Sequence, residues 1–137
     1  MIKLRGYIFS RSFMGERVPQ NIQNLVLRDY CKKKNYQYLL SFSEYAMEGS
    51  SAMLYDAVCE NDSQGIIAYS VFQLPSDEIS RFDFYKKIIK RKKTIHFALE
   101  DMKISNESEI PKIEETWFIK KSLDQCIITN ERLKALI

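Results

Sequence analysis

The sequence predicts an α/β domain of three layers: an open, mainly parallel four-stranded sheet in the order 2-1-3-4, helices on both faces, and a long C-terminal helix at about 108–130. Three observations lead there. Short apolar runs alternate along the chain with longer segments whose apolar residues recur every three or four positions. Strands separated by helices pair in parallel, and right-handed crossovers put those helices on both faces. The 137 residues, 45% hydrophobic and 28% charged, suit one domain over 1–137 with a real core and an ordinary soluble surface.

Leu4 to Phe9 reads as the first strand, and Pro19 to Lys34 as a helix with Ile22, Leu25, Val26 and Tyr30 on one face. Tyr36 to Leu40 is the second strand. Ser50 or Ser51 caps a helix carrying Met53, Leu54, Ala57 and Val58, which ends near Asn61-Asp62-Ser63. Gln64-Gly65 leads into the third strand, Ile66 to Tyr69. After Pro75, Ser76 caps a helix with Ile79, Phe82, Tyr85 and Ile89 turned inward. Thr94 to Leu99 is the fourth strand. Ser108 opens the last helix, with Pro111 tolerated in its first turn and Ile110, Ile113, Trp117 and Leu123 on the inner side. Trp117, Phe118 and Ile119 are consecutive, so they spread over about 200° of that helix and one of them faces away from its own core. With Ile127, Ile128, Leu133, Leu136 and Ile137 beyond them, they predict a homo-oligomer, a dimer through this helix. The competing arrangement folds the tail back over Tyr85 and Ile88.

Composition narrows the function classes. The formal charge of +3 is too small to require nucleic acid. The basic runs Lys32-Lys33-Lys34 and Lys86, Lys87, Lys90, Arg91, Lys92, Lys93 fall in the last turns of two helices, where cations complement the helix dipole; contact with DNA is the competing use. No run spans a bilayer and the start has no leader-like apolar stretch, so a cytoplasmic protein is expected. Cys31, Cys59 and Cys126 are widely spaced and His96 is the single histidine, so neither a disulfide framework nor a metal site is expected. Cys31 and Cys59 read as inert small residues on helices, His96 as a hydrogen-bonded core residue, and Tyr36, Tyr38, Tyr55 and Tyr85 as core or rim. With no Walker loop and no GxGxxG, a phosphate would have to be held by side chains and not by a glycine nest, and no cofactor is expected.

In an open parallel sheet the ligand crevice lies beyond the carboxyl ends of the strands where strand order reverses, here between strands one and three. The loop after the first strand, Ser10 to Gln20, carries two hydroxyls, two guanidiniums and a carboxylate. The loops after the second and third strands bring Ser41, Ser43, Glu44, Tyr45 and Glu48, and Ser70 and Gln73. Glu16, Glu44 and Glu48 are the candidate general bases, Glu44 and Glu16 foremost, with Ser10 and Ser12 as catalytic hydroxyls. Arg11, Arg17, Gln20, Tyr45, Glu48, Ser70 and Gln73 are the candidate ligand-binding residues, the arginines suiting a phosphate or carboxylate. The alternative is that Arg11 and Arg17 tie the loops together by pairing with Glu16, Glu44 or Glu48.

Gly6-Tyr7-Ile8-Phe9-Ser10-Arg11-Ser12, Gln20 to Cys31, Ser43-Glu44-Tyr45 and Ile66 to Ser70 together resemble the catalytic domain of resolvase-type serine recombinases over about residues 4 to 100. The resemblance implies a resolvase-like or flavodoxin-like sheet. In that family a serine after the first strand attacks DNA, while an arginine just before it and an Asp-Arg-x-x-Arg stretch after a later strand hold the scissile phosphate. Aligned on Gly6-Tyr7, this sequence has Phe9 at the first arginine and Arg11 at the serine; a one-residue shift recovers Ser10 or Ser12, but not both serine and arginine. Its later stretch reads Phe72-Gln73-Leu74-Pro75-Ser76, so recombination is expected to be absent. The blocks Gly6 to Cys31, Ser43 to Glu48, Ser70 to Pro75 and Ile95 to Glu100 also resemble the sporadic carbohydrate cluster proteins of bacterial surface-polysaccharide gene clusters. The expected function is thus a cytoplasmic protein of a cell-surface carbohydrate pathway of O-antigen or capsule type, which binds a phosphorylated or nucleotide-linked sugar at the strand ends, with or without a reaction on it. Its alternatives are a catalytically inactive recombinase relative binding DNA, or a scaffold for pathway enzymes.

Overall fold

The computed structural model describes residues 1–13, 15 and 17–136, with side chains for all of these except 127–131, 133 and 136. Its sheet has the order β2-β1-β3-β4-β5. β1 (Lys3–Phe9) lies between β2 (Gln37–Glu44) and β3 (Gly65–Ala68), and β4 (Thr94–Phe97) follows β3, all parallel. The four expected strands stand in the expected order. A fifth, β5 (Met102–Ile104), adds antiparallel to β4 through a turn in which Asp101 adopts φ 52°. Three residues are too few to show an alternating pattern, which is why the sequence did not announce it. β2 runs four residues past the expected end because a bulge resets its register: Arg5 pairs with Leu39, but Tyr7 pairs with Phe42. Gly6 stands opposite the bulge, where a Cβ would collide with the Tyr38 hydroxyl.

Alternation along β1 feeds two cores. Leu4 and Ile8 pack with Ile67 against Leu27 and Cys31 of α1 (Gln20–Lys34). Tyr7 and Phe9 face the other side, with Ile66, Ala68, Ile95 and Phe97. That side is covered by α2 (Ala52–Cys59), α3 (Glu78–Lys90) and the first turns of α4 (Ile110–Leu136), through Leu54, Ala57, Val58, Phe84, Tyr85, Ile88 and Ile113.

Two helix faces differ from expectation. On α1 the buried residues are Gln23, Leu27 and Cys31, while Ile22 and Leu25 are exposed. On α3 they are Arg81, Phe84, Tyr85 and Ile88, while Ile79 and Phe82 are exposed. Both shifts have one cause: a polar side chain whose hydrogen bonds are met inside occupies a core position that hydrophobicity alone assigns to an apolar neighbour. Leu123, placed inward by its spacing, is 59% exposed, because α4 has by then left the body of the domain. Cys59 is exposed and Cys31 buried, where burial pushes its thiol up to about 11.

Helix starts differ likewise. Asp77, not Ser76, caps α3, accepting from the Ser80 N–H. Ser51 stands at the α2 cap without a capping bond, and Asn106 caps a 3₁₀ turn, Glu107–Glu109, ahead of α4. His96 is buried, between Tyr30 and Tyr36 and within reach of Thr94. No helix among the described residues is long and apolar enough to cross a membrane.

Candidate functional site

The loops after β1 and β2 are stitched together. Ser10 Oγ donates to the Glu44 carbonyl at 3.2 Å, and the Arg11 guanidinium donates to the carbonyls of Tyr45, Met47 and Ser50 at 2.9, 3.2 and 2.8 Å. Arg11 also lies 4.1 Å from the centre of the Phe9 ring. Glu44 is buried, and its carboxylate accepts from the Tyr7 hydroxyl at 2.8 Å, the Ser50 hydroxyl at 3.1 Å, and the backbone N–H groups of Tyr45, Met53 and Leu54. Two of those N–H groups belong to the first turn of α2, so Glu44 does from a distance what a capping serine does locally. Burial first, and then the neighbouring carboxylate, raise the Tyr7 hydroxyl well above its ordinary value.

The loop after β3 joins through two glutamines. β3 ends opposite Tyr7, which leaves the Phe9 backbone without a strand partner on that side. Gln23 fills the gap: its carboxamide accepts from Phe9 N and donates to Phe9 O and Val18 O, each at 2.9 Å. Gln73 donates to Gln23 at 2.9 Å and accepts from the N–H groups of Tyr69 and Ser70. Ser70 donates to Glu100 at 2.8 Å, and Glu100 also accepts from Val71 N. Gln23 and Glu100 were not among the sequence candidates. Glu100 had a signal, since it directly follows the expected fourth strand, Thr94 to Leu99, and lies three residues past the end of β4; Gln23, a polar residue inside an amphipathic helix, had none.

Beyond these stitches lies a cleft of about 490 Å³. Of the sequence candidates, Arg11, Ser12 and Glu48 line it. Ser10, Glu44, Ser70 and Gln73 hold the loops that shape it. Arg17, Gln20 and Tyr45 are exposed away from its lining, Tyr45 lending its carbonyl to Arg11, and Glu16 lies outside the described residues. The other walls are Phe72 and Ser76 after β3, Asp77 and Ser80 of the α3 start, Ser51 and Tyr55 of the α2 start, and Trp117 and Lys120 of α4. Hydrogen bonds from Ser80 hold the Asp77 carboxyl below its usual value.

Trp117 is fixed by a buried clamp. Arg81 donates to both oxygens of Glu114 at 2.8 Å and to the carbonyls of Pro75 and Ser76, and lies 4.4 Å from the indole centre. Tyr85 donates to Glu114 at 2.6 Å. Burial opposes ionisation of Glu114, but the bonds from Arg81 and Tyr85 prevail and hold it below the usual carboxylate value.

The cleft thus offers two cations, two carboxylates, several hydroxyls and an aromatic wall. Among the described residues no cluster of His, Cys, Asp and Glu is able to hold a metal ion.

No family model matches the chain and no curated protein matches it, so the resemblance to sporadic carbohydrate cluster proteins gains no support from either. Solved structures do match. The N-terminal catalytic domain of TP901-1 integrase is similar at 14% identity and a TM-score of 0.57, over 93% of this chain and 98% of that one. A resolvase family site-specific recombinase from Streptococcus pneumoniae is similar at 6% identity and a TM-score of 0.59, over 97% and 98%. The fold is resolvase-like. At such identities the likeness extends to architecture alone, the long C-terminal helix included.

Proposed function

We propose that this chain is a relative of the serine recombinases that has kept their fold without strand exchange, and that it holds a phosphorylated or nucleotide-linked sugar in the cleft beyond the ends of β1 and β3. One observation carries the reading. The segment Phe72-Gln73-Leu74-Pro75-Ser76, where the recombinase resemblance calls for two phosphate-binding arginines, begins in the 3₁₀ turn Val71–Gln73 and runs on towards α3, giving the cleft an aromatic ring from Phe72 and a hydroxyl from Ser76. Gln73 is 2% exposed and its carboxamide is occupied by Gln23 and the backbone. Phosphoryl transfer needs charge stabilisation at that point, and no cation of this segment supplies it.

The cations of the cleft, Arg11 and Lys120, come instead from the β1 loop and from α4; Arg11 already donates to three carbonyls, so Lys120, held by an exposed i,i+4 pair, is the one better suited to an anionic group. Glu44 supports this reading as a scaffold residue; the carboxylates that line the cleft are Glu48 and Asp77. The cell-surface carbohydrate setting rests on the sequence blocks named above and is part of the proposal.

Thermal-shift measurement against sugar phosphates and nucleotide sugars tests it. A ligand at about 100 times its dissociation constant adds about 2.7 kcal/mol, a rise of about 9 °C for a domain of this length. Incubation with supercoiled DNA should leave the DNA uncut; a covalent serine adduct refutes the loss of strand exchange, and absence of any shift refutes the ligand reading.

DNA binding without cleavage is the second reading, favoured by Lys32, Lys86, Lys90 and Lys92, which are exposed at the ends of α1 and α3. The rest of those runs is engaged: Arg91 and Lys93 donate to carbonyls of the α2 end, and Lys33, Lys34 and Lys87 pair with Asp29, Asp101 and Asp83. Binding through the exposed lysines must weaken log-linearly with salt. A scaffold for pathway enzymes would instead show itself by co-purification.

A further inference from the structure

We propose that the cleft seats a nucleotide base against the Phe72–Trp117 wall, so that of the two ligand forms above the nucleotide-linked sugar is the one that binds; this rests on the cleft being a ligand site. Phe72 and Trp117 meet edge to face with ring centres 5.0 Å apart, and Phe9, Phe13 and Tyr55 line the same cleft.

The wall is held firmly from both sides. Arg81, itself buried, lies over the indole and is locked by its two bonds to Glu114. Phe72 belongs to the turn Val71–Gln73, whose start is closed by reciprocal bonds of the Ser70 and Gln73 side chains. A fixed aromatic wall favours a planar partner, and every nucleobase presents a π-face for it. A hexose phosphate offers such a wall the C–H groups of a puckered ring and no π-face.

Charge is placed to match. Arg11 and Lys120 line the same cleft from separate elements, and Lys120 Nζ stands 5.6 Å from the Phe72 ring centre. A diphosphate next to a base at Phe72 therefore meets a cation. Lys120 already pairs with Asp124 at 3.1 Å, but that is an i,i+4 pair whose carboxylate is 58% exposed, a contact weak enough for a phosphate to replace. The volume of about 490 Å³ falls within the range of about 300–1,000 Å³ that takes whole ligands of this kind.

The test uses the full chain and Trp117, its single tryptophan, as reporter. UDP-glucose, dTDP-glucose, GDP-mannose, UDP and glucose 1-phosphate are titrated by fluorescence and by calorimetry in parallel. At least one nucleotide sugar should change the emission of Trp117 and bind about tenfold or more tightly than glucose 1-phosphate. Phe72→Leu, which keeps the reporter, should weaken that nucleotide sugar about tenfold and leave glucose 1-phosphate unchanged; Trp117→Phe, read by calorimetry, replaces it if the leucine variant does not fold. UDP binding as tightly as UDP-glucose supports the base seat and removes the sugar from the reading. Glucose 1-phosphate binding as tightly as every nucleotide sugar, or calorimetric binding with no change at Trp117, overturns the base seat and leaves the sugar reading standing. No binding by any probe overturns both.

Discussion

Replacing Glu114 by alanine should cost the domain about 3 kcal/mol. The carboxylate takes two bonds from Arg81 and one from Tyr85, and the side chains of Arg81 and Glu114 are 7% and 19% exposed. Removing one member of a buried pair costs about 3–5 kcal/mol, because the partner charge stays behind uncompensated. Glu114 is partly reached by solvent and Arg81 keeps the Pro75 and Ser76 carbonyls, so the lower end applies. With a urea m-value of about 2 kcal/mol/M, the unfolding midpoint followed by circular dichroism should fall by about 1.5 M. Glu114→Gln keeps one acceptor oxygen and should lose about half as much. Arg81→Met combined with Glu114→Leu should recover most of the loss, since hydrophobic replacement of a whole buried pair is often close to neutral. The folded carboxyl titrates below its ordinary value, so its contribution is complete above that value and is lost as pH falls through the lower, folded one. Glu114→Gln should lack that acid-side loss. A midpoint for Glu114→Ala within about 0.2 M of the parent, or a double variant no better than the single one, would refute the clamp.

Burial first, helped by Lys103, lowers His96 from 6.5 to about 4. The unfolded chain therefore takes up that proton first, and stability should drop by up to about 3 kcal/mol as pH falls from 6.5 towards 4; a His96→Phe variant showing the same drop in urea titrations would rule this out. Gln23→Ala strands the Phe9 and Val18 backbone groups and the Gln73 amide, an expected loss of about 3 kcal/mol by chemical unfolding, and a loss under about 1 kcal/mol means that water replaces the side chain. Phe118, Ile119 and Leu123 are 70%, 51% and 59% exposed on α4, so sedimentation at micromolar concentration should show a dimer that Phe118→Glu with Leu123→Glu dissociates; a strictly monomeric parent protein contradicts it.

Legible in the sequence were the alternation of strands and helices, the order of the four main strands, the basic last turn of α1, part of the second basic run on the last turn of α3 (Lys87 and Lys90, with Arg91, Lys92 and Lys93 past its end), and the gathering of three polar loops at one sheet end. These features follow from local periodicity and from the handedness of crossovers, which depend on near neighbours in the chain. Only the tertiary structure decided what the polar residues of those loops do. Glu44, a candidate base by its position, is saturated by the α2 N-terminus and Tyr7, whereas Asp77, Trp117 and Lys120, which sequence reasoning left in helices, stand in the wall of the cleft. The faces of α1 and α3 were misread for the same reason. Gln23 and Arg81 sit in the interior because of partners 14 to 50 and 33 residues away, Phe9 and Gln73 for one and Glu114 for the other. A buried polar group is tolerated only where its hydrogen bonds are met, and distant segments that meet at the ends of the sheet meet them in a way that no window of neighbouring residues encodes.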